Sequence, residues 1–138
     1  MLHSSDYQFS FSGLKTAVRY LLPKYDPVPV ADICASFQEA VVDVLVEKTM
    51  RAVRLSKVMS LALSGGVSCN ARLRERFMQA CDAAGVRLLL APPALCTDNA
   101  AMIAYVAFLR LCKGESGDLA ADVHPNFSAA AWLAGVPN

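Results

Sequence analysis

Two short apolar runs, each followed by a sharp break and then a helical pattern, restrict the fold of this chain more than any other feature. The runs are residues 58–63 and 86–90, and a pair of glycines follows the first while a pair of prolines follows the second. Short apolar runs bounded by turn residues are typical of buried strands. Because strands that alternate with helices pair in parallel, the sequence predicts an α/β domain with a small, partly parallel sheet.

The longest helix is predicted to begin at about Pro29, where a missing amide hydrogen costs nothing. Its acids lie early and its bases late, which complements the helix dipole. These charged side chains are expected to form a solvated face: Asp32, Glu39, Asp43, Glu47, Lys48, Arg51 and Arg54. The predicted apolar face comprises Ile33, Phe37, Val41, Val44, Leu45, Ala52 and Leu55.

Cap and stop residues predict three further helices. They lie at 14–22 (N-cap Ser12), from Ser68 or Asn70 to about Ala84 (stop Gly85), and at 98–111 (N-cap Thr97, stop Gly114). Before the first helix, the alternation in Tyr7–Phe11 predicts a short half-buried strand. The tail, 117–138, is expected to be irregular with Trp132 as its anchor, and the whole of 1–138 to form one lobe.

Composition and charge limit the classes of partner. A net charge of +1 excludes a large positive field for gripping nucleic acid. Hydrophobic residues make up 55% and charged residues 18% of the chain, so some apolar surface is expected to be covered by something outside it. The uncharged, apolar stretch 58–71 is too short to span a membrane, and no signal peptide is visible at the N-terminus. Five cysteines without a Cys-x-x-Cys pair predict buried, reduced thiols in a cytoplasmic protein.

The loops that follow the two strands carry the most unusual local sequences, Ser64–Asn70 and Ala91–Asp98. In parallel sheets, ligands meet the loops at the carboxyl ends of the strands, so we expect both loops to face one pocket. Gly65 and Gly66 would let the backbone approach a flat or anionic ligand, and Asn70 can both donate and accept. The alternative is a tight strand-to-helix turn with Asn70 as a simple cap.

Asp98 also has two readings. In the first turn of a helix a carboxylate usually compensates the dipole, but it can also be a metal ligand or an acid that faces a cleft. A transition metal needs three or four ligands, and the only histidines are His3 and His124, so further ligands must come from elsewhere. No combination of nucleophile, histidine and acid can be assembled, and no catalytic residue is assigned. Arg72, Arg74 and Arg76 are expected at the solvated surface, with a phosphate contact by one of them as the alternative.

Four motifs together resemble the C-terminal part of the bacterial TsaD family. These proteins are the tRNA adenosine threonylcarbamoyltransferases, formerly labelled O-sialoglycoprotein endopeptidases or glycoproteases. The resemblance covers nearly the whole chain, to roughly Trp132. The motifs are FSFSGLKT (9–16), SFQEAVVD (36–43), SGGVSCN (64–70) and CTDNAAMIA (96–104).

The resemblance implies one lobe of the actin, hexokinase and sugar-kinase ATPase superfamily. It implies transfer of a threonylcarbamoyl group from its adenylate to the exocyclic amine of the adenosine next to the tRNA anticodon. By the same resemblance, Asn70, Gly65 and Gly66 would contact threonylcarbamoyl-adenylate or ATP. Asp98 would bind a divalent metal, iron or zinc. The implied partners are tRNA and helper proteins of the TsaB and TsaE kinds.

The chain also departs from the family pattern. Members are more than twice as long, and their first lobe carries paired histidines and glycine loops that are missing here. We therefore expect a C-terminal lobe whose N-terminal lobe is absent, through natural, engineered or proteolytic truncation, and which is inactive alone. Its apolar surface could also serve homo-oligomerisation. The alternative functions are a non-catalytic nucleotide-binding or dimerisation module and a sugar-kinase-like ATPase or phosphotransferase.

Overall fold

The computed structural model describes residues 6–118 and residue 120, and these form an α/β arrangement. The chain divides into two compact units, one that ends at Asp98 and one that begins at Asn99. The predicted strand–helix–strand–helix order after a long helix is confirmed, whereas the predicted tail from 121 onward and its anchor Trp132 lie outside the described residues. The elements are α1 (Ser12–Leu21), α2 (Val30–Ser56), β1 (Ser60–Leu63), α3 (Ala71–Ala84), β2 (Arg87–Leu90) and α4 (Ala100–Cys112).

The two strands pair in parallel, as predicted, with Ser60 opposite Arg87 and Leu63 opposite Leu90. They are shorter than the apolar runs that predicted them. The prediction that both strands are buried is wrong, because exposed and half-buried residues alternate along each of them. Only one face of the pair packs against the core, and on the other face Leu89 is 44% exposed.

The core forms where α2 packs against α3 and one face of the sheet. The stripe of α2 that is buried follows a spacing of four, four and three residues, which is one face of a helix. The predicted apolar face of α2 is wrong at several positions, since Phe37 and Leu55 are exposed. Because α2 is apolar on more than one side, its periodicity does not select which side is buried. The buried core residues are Val42, Val46, Met50, Val53, Leu73, Phe77 and Cys81.

Lys48 is the largest departure from the predicted solvated face of α2, because its side chain is only 1% exposed. Its ammonium group donates to the backbone oxygen of Gln8 at 2.7 Å and to Oδ1 of Asp6 at 3.3 Å. It also lies 5.7 Å from the centre of the Phe9 ring. Residues 7–11 form no strand, contrary to prediction; this segment lies against α2 and is held by Lys48.

Helix ends follow local chemistry, although not always at the predicted residue. Asn70 caps α3 and Gly85 ends it with φ +64°, as predicted. Ser12 does not cap α1, because the helix already includes it and Phe11 occupies the cap position. Thr97 does not cap α4 either; Asn99 does, by accepting a hydrogen bond from the amide of Met102 at 3.1 Å. Asn99 directly precedes the first helical residue, so its side chain is the closer acceptor.

The cysteines correct another expectation. Cys81 and Cys96 are buried, but Cys34, Cys69 and Cys112 are exposed, and all five are free thiols. The prediction that the thiols are buried is therefore wrong for three of them.

Much apolar surface is exposed, as the composition suggested. Tyr20 is 72% exposed and Met59 73%, and most of the large apolar side chains of α4 are exposed as well. Between residues 6 and 118, no helix is both long enough and apolar enough to cross a membrane.

A substitution tests the role of Lys48. In Lys48→Met the stem keeps its packing, but the backbone oxygen of Gln8 and the carboxylate of Asp6 lose the ammonium group as a donor. We expect the free energy of unfolding to fall by about 1–3 kcal/mol, because hydrogen bonds to a charged group are lost from a buried position. Amide hydrogen exchange in residues 6–11 should accelerate. Lys24→Met, at an exposed lysine, is the control; equal exchange in both variants would show that Lys48 does not anchor the segment.

Candidate functional site

The two loops that follow β1 and β2 lie side by side, so the structure brings together the loop regions singled out in the sequence. Each loop contains a single 3₁₀ turn, Gly66–Cys69 in the first and Pro93–Leu95 in the second. The hydroxyl of Ser68 donates to the sulfur of Cys96 at 3.3 Å, and both residues are buried. Direct contact between the loops follows from the parallel pairing, which ends both strands at one edge of the sheet.

Arg74 ties the two loops together. It lies in the first turn of α3, and its guanidinium group donates through Nε to the backbone oxygen of Ser68. Through Nη2 it donates to the backbone oxygen of Ala91 at 2.8 Å and to the sulfur of Cys96 at 3.6 Å. The expectation of a solvated Arg74 is wrong. Side chains on a helix point back toward its N-terminus, and that signal could have predicted contact with the preceding loop.

The thiols of Cys69 and Cys96 are neighbours at this junction. The hydrogen bond from the hydroxyl of Ser68, aided by the thiol of Cys69 and the guanidinium of Arg74, holds the pKa of Cys96 below its usual value. Desolvation of its thiol by the atoms packed around it, together with its interaction with Cys96, raises the pKa of Cys69, although the residue as a whole is exposed. Cys69 also approaches the backbone oxygen of Pro93, at 3.9 Å.

Asn70 is engaged at both ends of its amide. Its Oδ1 accepts a hydrogen bond from the amide of Leu73 at 2.9 Å, which makes it the N-cap of α3. Its Nδ2 donates to Oε1 of Gln38, on α2, at 2.9 Å. The cap reading is therefore correct. An amide side chain still has a second N–H and a further lone pair, so the cap leaves capacity for another partner.

A groove of about 270 Å³ lies beside Asn70. Its lining is mostly apolar and comes from α2, the first loop and the start of α3. Asn70 and Gln38 provide its polar atoms, and Asp98 is not among the lining residues. The apolar lining consists of Phe37, Val41, Val42, Leu45, Val67 and Leu73.

Gly65 and Gly66 are both exposed, and no heavy atom lies within 4 Å of a Cβ built on either of them. They differ in backbone conformation. Gly65 has φ +89° and ψ 160°, a region that only glycine adopts readily. Gly66 has no such conformation. The loop therefore needs a glycine at 65, and it presents open backbone at both positions.

Arg72 and Arg76 are half-buried and paired with acids, which corrects the expectation that these arginines and the acids of α2 are simply solvated. Arg72 donates to both carboxylate oxygens of Glu39 at 2.9 Å, and Arg76 donates to Glu39 and to Asp43. The hydrogen bonds from Arg72 lower the pKa of Glu39. These acids already neutralise the two arginines.

Asp98 is exposed at the end of the second loop, and within residues 6–118 no side chain forms an ion pair with it. It does not cap α4, because Asn99 does. In the part of the chain that the structure describes, no three His, Cys, Asp or Glu side chains come together as a metal site. The donor set fits one carboxylate ligand but not a complete site.

Comparison with known proteins places these residues in context. Residues 2–105 match the family described as TsaD, tRNA N6-adenosine threonylcarbamoyltransferase. Three relatives carry that name. The one from Thermosipho melanesiensis is 47% identical to this chain over 125 residues, the one from Geobacter sulfurreducens 46% over 130 residues, and the one from Bdellovibrio bacteriovorus 44% over 135 residues. The alignments cover 91%, 92% and 95% of this chain. They cover only 38%, 38% and 39% of the relatives, so the chain spans about two fifths of their length.

The loop-clamping role of Arg74 can be tested by substitution. Arg74→Met removes charged hydrogen bonds to both loops, so we expect the free energy of unfolding to fall by about 1.5–3 kcal/mol. Hydrogen exchange should accelerate in both 64–70 and 91–98. Arg54→Met is the matched control, since Arg54 is exposed and paired only at 3.5 Å with Glu47. Acceleration in one loop alone would contradict the clamp.

The two glycines offer a second, internally controlled test. Gly65→Ala forces alanine into a conformation that it avoids, so we expect a loss of about 1–3 kcal/mol in the free energy of unfolding. Gly66→Ala meets no neighbour, and we expect stability to be unchanged or raised by up to about 1 kcal/mol. Urea denaturation measures both values. Equal effects of the two substitutions would contradict the positive φ of Gly65.

Proposed function

The chain belongs to the TsaD family of tRNA N6-adenosine threonylcarbamoyltransferases, and on that premise we propose that it forms one lobe of such an enzyme. The proposed reaction transfers a threonylcarbamoyl group from its adenylate to the exocyclic amine of the adenosine next to the tRNA anticodon. The proposed fold is a lobe of the actin, hexokinase and sugar-kinase type, with which the α/β order and the parallel strand pair are consistent. The names of the relatives and their shared sequence support this proposal.

The junction of the two loops is the observation that carries the proposal. Arg74 fixes the backbone of both loops in one surface, and Gly65 and Gly66 leave that surface open to a ligand. The free amides at the start of α3 favour an anionic group there. We propose that Gly65 and Gly66 contact the adenylate through their backbone and that Asn70 contacts it through the unused capacity of its amide.

The groove beside Asn70 supports a site that this lobe only half completes. Pockets that enclose a whole small molecule usually measure roughly 300–1,000 Å³, and this groove holds about 270 Å³. Its apolar lining suits the flat part of a nucleotide and not the phosphate. We propose that it receives the adenine end of threonylcarbamoyl-adenylate or ATP and that the rest is enclosed by residues outside this sequence.

Asp98 is the proposed metal residue. Its carboxylate is exposed and unpaired within the described residues, so it is available as a single ligand. Iron or zinc would need further ligands that the described part of the chain does not bring together. We propose that these ligands come from the length of the relatives that this chain does not match.

The proposed partners follow from a site that is shared between this chain and residues outside it. The net charge of +1 leaves the grip on tRNA mainly to other surfaces. Helper proteins of the TsaB and TsaE kinds and a second lobe are the proposed protein partners, in a cytoplasmic setting. Alone, this chain should not modify tRNA.

A chimera tests the proposed function directly. In it, this chain replaces the matching stretch of the Geobacter sulfurreducens relative. With threonylcarbamoyl-adenylate, tRNA and the helper proteins, we expect the chimera to form threonylcarbamoyladenosine, measured by mass spectrometry of the tRNA nucleosides. The 138-residue chain alone should form none. A folded chimera without product would count against the transferase, and product from the chain alone would overturn the half-site.

Two conservative substitutions in the chimera test the site residues. Asn70→Ser keeps an N-cap oxygen for α3 but removes the amide donor, and Asp98→Asn keeps the shape but removes the charge. We expect each to lower the single-turnover rate by about 100-fold or more, as loss of one polar contact to a reacting group does. Thermal stability should change little in both.

The control for these substitutions is Asp82→Asn, which removes an exposed carboxylate from the far end of α3. It should leave the rate unchanged. Full activity in both site variants would favour a non-catalytic module. Consumption of ATP without modified tRNA would favour a phosphotransferase.

A further inference from the structure

Two free thiols meet at the junction of the loops, and the proposed function uses neither of them. Cys69 lies in the turn of the first loop and Cys96 at the end of the turn of the second. The sulfur of Cys69 lies 3.9 Å from the backbone oxygen of Pro93, and the same oxygen accepts a hydrogen bond from the amide of Cys96 at 3.1 Å. Ser68, the residue before Cys69, touches the sulfur of Cys96 at 3.3 Å. Of the other cysteines, Cys34 lies on α2, Cys81 lies on α3 and Cys112 ends α4.

We propose that Cys69 and Cys96 form a reversible disulfide that joins the two loops covalently. Disulfides form only where two side chains already point at each other across a short distance. Here both cysteines approach the backbone oxygen of Pro93, the turns that carry them pack together, and Arg74 holds the backbone of both loops in place. The bond would therefore join two turns that already lie against each other.

The exposure of the two thiols sets the order of the chemistry. Cys69 is exposed, whereas Cys96 is only 5% exposed. A small disulfide such as oxidised glutathione can therefore reach Cys69 first. The sulfur of Cys69 attacks, a mixed disulfide forms and one glutathione leaves with the proton. The sulfur of Cys96 then attacks that of Cys69 and releases the second glutathione, so two thiols are oxidised and one glutathione disulfide is reduced.

The link would act on the loops that carry the proposed site. It joins the residue before Asn70 to a residue two positions before Asp98. Formation of the bond is independent of the proposed function, because it depends on the two thiols alone. The bond would also oppose separation of the loops, and its readouts do not require enzymatic activity.

Peptide mapping tests the bond, because trypsin places each cysteine of this chain in a separate peptide. Cys69 falls in 58–72 and Cys96 in 88–110; the other three fall in 25–48, 77–87 and 111–113. The native chain is incubated at low concentration with oxidised glutathione, quenched with acid and digested. We expect a linked peptide 58–72 with 88–110, and an intact monomer lighter by two hydrogens.

The selectivity of pairing decides the outcome. Thiols that are held together react as if at high effective concentration, so we expect the link between Cys69 and Cys96 to be about tenfold more abundant than any other pair. Cys34 and Cys112, which are also exposed, should carry glutathione and not form this link. The same treatment in urea should spread the pairing of Cys69 over the other cysteines. Native Cys69 that stays in a mixed disulfide, or pairs without preference, would overturn the proposal.

Hydrogen exchange supplies a second readout that is independent of peptide linkage. In the oxidised chain, exchange should slow in both 64–70 and 91–98, and a thiol reductant should restore the original rates. Cys69→Ser should abolish the slowing, whereas Cys34→Ser should preserve it. Unchanged exchange in an oxidised chain, or slowing that persists in Cys69→Ser, would refute a covalent connection between the loops.

Discussion

The guanidinium group of Arg74 is the interaction on which the candidate site depends. β1 and β2 pair over only four residues each, so the sheet alone does not hold the loops that continue beyond it. Arg74 extends the order of the sheet into both loops by donating to one backbone carbonyl in each. Charge-assisted hydrogen bonds of this kind are stronger than neutral ones. The position of Asn70 beside its groove and the approach of Cys69 and Cys96 to the backbone oxygen of Pro93 both belong to this arrangement.

The same unit combines a small core with much open apolar surface. One stripe of α2, one face of α3 and one face of the sheet form the core, and the opposite faces are left uncovered by the described residues. A chain that matches about two fifths of its relatives is consistent with such an arrangement. In the proposed enzyme the groove beside Asn70 is open for the same reason. In the proposed enzyme, these open surfaces and the single carboxylate of Asp98 have a common explanation, because each needs residues from another part of the protein.

Sequence reasoning succeeded where local chemistry decides the structure. The parallel strand pair, the cap at Asn70 and the stop at Gly85 each depend on a few neighbouring residues. It failed where a distant partner decides. The pattern of α2 predicts that Lys48 lies on the solvated face. It is buried because the backbone oxygen of Gln8 and the ring of Phe9 lie against it. The buried face of α2 was mistaken because several of its faces are apolar. The contact of Arg74 with the loop before α3 could have been predicted from the direction of helical side chains alone.

The described sheet has only two strands, and this affects the behaviour of the polypeptide in solution. In the described part of the chain each strand pairs only with the other, so each also has an outer row of amide and carbonyl groups outside the ladder. Natural proteins usually guard such rows with charges or prolines. Here Arg87 is the sole charged residue of both strands. Concentrated solutions of the isolated polypeptide are therefore prone to add strands edge to edge between molecules, and low concentration protects the monomer.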